Sequence, residues 1–113
     1  MKNPSRSKPR TVDLAKPPEH LSPESRELWR RLLDDYHLDD AAGLALVRAA
    51  CEAFDRAEGA RRLIAAEGAT LRDRFSQLKA HPAVAVERDA RGQLIAAVRA
   101  MRLQPGDVGA GDD

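Results

Sequence analysis

The sequence predicts a mainly α-helical fold: a short N-terminal helix, a long central helix and a C-terminal helix, with a loop or minimal β-turn between the last two and disordered ends. Three observations predict it. Apolar residues recur at three- and four-residue spacing through most of residues 21–103, proline crowds the first twenty residues, and Gly68 and His81-Pro82 break the helical pattern. Of 113 residues twenty are alanine, whereas Trp29, Tyr36, Phe54 and Phe75 are the whole aromatic content. Little apolar area per residue is available to such a chain, and a small domain without disulfides commonly gains stability by associating with copies of itself.

Residues 1–20 carry Pro4, Pro9, Pro17 and Pro18 among Ser, Lys and Arg, with no periodicity and little to bury. They read as a disordered basic arm. The helical core and oligomerisation domain is expected over 21–103, followed by a disordered acidic tail at 104–113. Ser22-Pro23-Glu24 starts the first helix: a hydroxyl can accept from the orphan amides, proline suits the first helical position, and an acid complements the dipole. Leu28, Trp29, Leu32, Leu33 and Tyr36 form one stripe on it, and Glu27 lies four residues before Arg31 on the outer side.

After a short connection at His37-Leu38, Asp39 or Asp40 can cap a second helix that runs to Glu67, with Gly68 as its terminator. Such a helix is about 40 Å long, so it needs partners along its length. Leu44, Val47, Cys51, Phe54, Ala57 and Ile64 mark its apolar side. Gly43 and Gly59 weaken its intrinsic propensity by about 1 kcal/mol each, which leaves packing to hold it. Cys51, the single cysteine, reads as a small buried hydrophobe.

From Ala69 to Ala80 the period fails, as expected of a loop or a short two-stranded turn. His81-Pro82 opens the last element, for which two readings stand. Val84, Val86 and residues 94–98 around Gly92 suit a β-hairpin, while Ala83, Val86, Ala90, Leu94, Ala97 and Met101 suit a helical stripe, supported by Glu87 four residues before Arg91. Pro105-Gly106 ends either one.

Charge is balanced overall, with nineteen Lys and Arg against eighteen Asp and Glu, but it is unevenly placed. Lys2, Arg6, Lys8 and Arg10 stand in the first ten residues with no acid, and Asp107, Asp112 and Asp113 end the chain with no base. No apolar run approaches the roughly 20 residues that cross a bilayer, and no signal peptide is evident, so a soluble intracellular protein is expected.

Chemistry-bearing patterns are missing. His20, His37 and His81 are isolated in the sequence, there is no CxxC or HxxxH, and the glycines compose no phosphate loop. Asp34-Asp35 and Asp39-Asp40 fall where helix ends and caps belong. The expectation is a non-enzyme without metal or cofactor. For nucleic acid the arm is the best candidate, because cations on a Pro-rich segment can neutralise phosphates without a fixed fold; a solubilising tail is the alternative. Lys16, Arg26 and Arg30 extend the candidate DNA-binding set Lys2, Arg6, Lys8 and Arg10 towards the body, although most body arginines have an acid three or four residues away.

The ordered set Pro17-Pro18, Leu21-Ser22-Pro23, Trp29, Cys51-Glu52-Ala53 on an Ala-rich helix, Glu67-Gly68 and His81-Pro82-Ala83 resembles the small subunits of tailed-phage terminases over about residues 16–103. The resemblance implies a non-catalytic component of a packaging motor in the host cell cytoplasm. Such a component would assemble into a ring, recognise double-stranded phage DNA and deliver it to the terminase large subunit, an ATPase-nuclease. It also implies a helix after His81-Pro82, and structural roles for Leu21, Trp29, His81 and Pro82. Between Gly68 and His81 the chain departs from the family pattern in lacking a Gly-rich turn. Two other function classes fit the residues alone: a small dimeric transcriptional regulator and a helical scaffold with no nucleic-acid role.

Overall fold

In the computed structural model, which describes residues 16–102, helix α1 spans Pro23–Tyr36 and starts on the expected cap. Ser22 is extended and its Oγ accepts from the Ser25 amide at 3.1 Å, with Pro23 in the first turn. The arm cations Lys2, Arg6, Lys8 and Arg10, most of the predicted 1–20 segment and the 104–113 tail lie outside the described residues. His37 ends α1 in the left-handed region, φ 51°, and turns the chain towards the next helix.

Helix α2 spans Ala41–Glu67 and is capped by Asp40, whose carboxylate accepts from the Gly43 amide at 2.8 Å. The cap explains Gly43. A Cβ there would sit 2.8 Å from Asp40 Oδ1 and 3.0 Å from the Leu38 side chain, so the residue that weakens propensity is the one that lets the cap close. Around Gly92, in the last helix, an added Cβ meets nothing. Gly43→Ala is therefore expected to destabilise by about 1–2 kcal/mol through the displaced cap, and Gly92→Ala to stabilise by about 0.5–1 kcal/mol through propensity. Urea unfolding of the two variants beside the parent checks this, and shifts of the same sign would contradict it.

Gly68, φ 90°, terminates α2 and its amide returns to the Ile64 carbonyl at 2.7 Å. Strands β1, Thr70–Arg72, and β2, Leu78–Ala80, then form an antiparallel hairpin in which Thr70 faces Ala80, Leu71 faces Lys79 and Arg72 faces Leu78. Of the two expectations for this segment the two-stranded one holds. Its turn does without glycine: Asp73 accepts from the Phe75 and Gln77 amides, its own amide donates to the Gln77 carbonyl, and Ser76 takes the left-handed position at φ 64°.

The His81 amide extends the ladder to the Ala69 carbonyl at 2.8 Å, and its side chain starts helix α3, Pro82–Arg102. Nδ1 accepts from the Ala83 amide at 2.9 Å, which in the neutral ring leaves the proton on Nε2, 2.7 Å from Glu67 Oε1. The helical reading of residues 82–102 is thus the observed one, with Gly92 inside the helix rather than in a turn.

α2 and α3 pack side by side through small residues. Ala53 and Ala60 on α2, and Ala83, Ala90 and Ala97 on α3, are buried at seven-residue spacing, the period of a helix pair that keeps one seam inside. This shifts the predicted stripes. Phe54, Ala57, Ile64 and Leu94 are half-buried and Val86 is exposed, because close approach selects alanine for the seam and moves larger side chains to its flanks. The larger core lies where α1 joins the pair: Trp29 and Leu32 meet Val47, Cys51, Ala97 and Met101. Cys51 is fully buried there, and burial first, then the charges of Asp55 and Glu52, push its thiol up to about 12. It stays a neutral packing group. Among the described residues no helix is long and apolar enough to cross a membrane.

Candidate nucleic-acid interface

Of the cations singled out in the sequence, three fall in the described part, and they differ in what they can offer a phosphate. Lys16 is exposed at the rim of a shallow groove walled by Pro18, Trp29, Leu44 and Arg48. Arg48 is held by Glu52 at 3.1 Å, and Glu52 also meets His20 Nε2 at 2.8 Å. The Arg48 hydrogen bond in particular keeps the Glu52 carboxyl below its usual range. Arg30 is exposed on α1 and 3.6 Å from Glu27, which also pairs with Arg31 at 3.4 Å. These are solvated pairs that open at little cost.

Arg26 differs. It is half-buried, its guanidinium donates to the Glu19 carbonyl, and its Nε is buried without a partner. It fastens the segment before α1 to that helix. The structure thus puts Lys16 and Arg48 on the lining of one groove and leaves Arg26 and Arg30 one turn apart on α1, with Arg26 already engaged.

One polar cluster has no counterpart in the sequence reading. Asp55 on α2 accepts from the Ser22 amide at 3.0 Å, from the Ser22 hydroxyl, and from the Ser25 hydroxyl at 2.8 Å. Burial pushes its carboxyl up, but the bonds from Ser22 and Ser25, together with the nearby His20, outweigh that and hold it below the ordinary carboxylate value. This clamp fixes the start of α1 on α2.

The hairpin concentrates charge that the sequence reading passed over. Arg72, Arg74 and Lys79 stand within eight residues against the single acid Asp73, which is taken up by the turn and lies 3.8 Å from Lys79. Arg72 donates to the Ser76 carbonyl at 2.7 Å, and the Arg74 guanidinium lies 5.1 Å from the Phe75 ring centre. Phe75 is 68% exposed and Leu78 64%. Three cations bracketing an aromatic was the available signal; it was obscured because the segment shows no strand alternation.

Among the described residues, no three His, Cys, Asp or Glu side chains gather closely enough to hold a metal ion. A family model described as phage terminase, small subunit, matches residues 25–107. No curated protein and no solved structure matches the chain. The matched span takes in nearly all of α1, the whole of α2, the hairpin and α3, well over half of the 113 residues. The chain belongs to the phage terminase small-subunit family.

Proposed function

We propose that the protein is a non-catalytic adaptor of a phage packaging motor: a ring-forming DNA-binding subunit that recognises viral DNA in the host cytoplasm and brings it to the large ATPase-nuclease subunit. The family match over the folded body carries this reading. Two physical features support it. The helix pair leaves Leu63, Val86 and Ile95 about half exposed, apolar surface of the kind that contacts between copies would cover. The basic sequence at Lys2, Arg6, Lys8 and Arg10, with Lys16 following, supplies cations for duplex phosphates.

The adaptor role is tested with immobilised phage DNA and purified large subunit. Retention of the large subunit on the DNA should rise several-fold when this protein is added. Equal retention with and without it would overturn the role.

A further inference from the structure

We infer that the β1–β2 hairpin is a second DNA-contacting element, a ribbon that enters a groove of duplex DNA with Phe75 and Arg74 leading. The inference rests on the DNA-recognition reading above and names a site for it.

The hairpin is built as an isolated projection. All six strand residues are exposed, Leu71 by 39% and Leu78 by 64%, so neither face is buried against the body, although a two-stranded ribbon on its own is marginally stable. Something other than an internal core must account for two exposed leucines and an exposed phenylalanine on so short an element.

Charge identifies the partner. With Arg72, Arg74 and Lys79 against Asp73, the hairpin carries a net +2, while the whole chain carries +1. The placement is as informative as the sum. From the register, Leu71 and Lys79 share one face of the ribbon and Arg72 and Leu78 the other, with Arg74 and Phe75 at the tip. Each face therefore offers one cation beside one leucine. A flat protein surface would meet one face and leave the other cation and leucine in water. A DNA groove has a phosphate wall on each side and base edges at its floor, so Arg72 and Lys79 would meet opposite walls while the tip meets the bases.

The dimensions agree. With its faces turned to the walls, the dimension that must fit is the ribbon's thickness, about 10 Å with side chains, which lies within the roughly 12 Å width of the major groove. An exposed aromatic at the tip is the residue type that contacts thymine methyl groups in that groove. Arg74, resting on the Phe75 ring, brings a guanidinium to the same place.

The experiment is a salt titration of full-length protein against a random-sequence duplex of roughly 30 base pairs, about three helical turns, read by fluorescence anisotropy. Solution mass is measured on the same samples. The variants are the triple Arg72→Gln/Arg74→Gln/Lys79→Gln, the single Lys79→Gln, which leaves the Arg72 turn contact intact, and Phe75→Ser. Removing three phosphate contacts should lower the slope of log affinity against log salt by about 2–3, and removing Lys79 alone by about 1. Phe75→Ser should weaken binding about tenfold with little change in slope. Solution mass should not change.

Slopes and affinities superimposable on those of the intact chain would overturn the inference while leaving DNA recognition by other residues standing. A fall in solution mass with the slope unchanged would overturn it in favour of a contact between copies. If the intact protein shows no salt-dependent duplex binding, the DNA-recognition reading itself fails and the inference with it.

Discussion

Asp55→Ala is expected to destabilise the protein by about 3 kcal/mol, the largest single-residue effect among the polar groups described. The carboxylate accepts from the Ser22 amide, the Ser22 hydroxyl and the Ser25 hydroxyl. Ser25 is completely buried, so once the acid is gone its hydroxyl keeps only two long contacts, donating to the Ser22 carbonyl and accepting from the Ser22 hydroxyl, each at 3.2 Å. Leaving buried donors without their charged acceptor costs about 1–3 kcal/mol per group, and the start of α1 loses its hold on α2 at the same time. Urea unfolding at neutral pH measures the loss; a variant within about 0.5 kcal/mol of the parent would show that the cluster contributes little.

The same carboxylate sets a pH dependence with a definite sign. Its pKa is lowered in the fold, so its contribution is present above the unfolded value, about 4, and is lost as pH falls through the folded value. The parent should therefore lose stability on acidification below about pH 4. Asp55→Ala should lose less over that interval, because the group responsible is already absent.

Deleting residues 1–15 is expected to weaken duplex DNA binding by about 100-fold at moderate salt and to lower the salt slope by roughly 3–4. The deletion removes Lys2, Arg6, Lys8 and Arg10 together with one acid, Asp13, and leaves Lys16 and Arg48 on their shared groove. Each cation that neutralises a phosphate releases close to one counterion, so the slope counts contacts whatever their geometry. An unchanged slope would assign the phosphate contacts to the body. Because arm and hairpin would touch different phosphates, combining the deletion with the hairpin variant should give slopes that add.

Much of the fold was legible because it is written locally. Ser22-Pro23, Asp40, Gly68 and His81-Pro82 each act within a turn of their own position, and all four begin or end the helix they were expected to. The Asp55 clamp was not legible, since its partners lie thirty or more residues earlier and an acid on a helix looks like any solvated acid until the helices are docked. Val86 lies outside, and Ile64 only half inside, for a related reason: periodicity identifies a side of a helix, but the seven-residue alanine seam decides which residues on that side are fully buried.

The hairpin was only half legible. Its strands have three residues each and no buried face, so they carry no alternating pattern, and its left-handed turn position is filled by Ser76 where a glycine would have announced it. The candidate interface suffered in the opposite direction. Arg26 looks like a free cation in the sequence and becomes a half-buried strut in the fold, whereas Arg72, Arg74 and Lys79 drew no notice until the hairpin set them around Phe75.

Self-association is the property on which the packaging reading depends most, because a ring-forming subunit must assemble and a solitary helical domain need not. Light scattering coupled to size exclusion, at micromolar chain concentration, measures it directly. A discrete particle whose mass is a several-fold multiple of the 12.4 kDa chain is the expected result. A single species at 12.4 kDa that added duplex DNA leaves unchanged would contradict it.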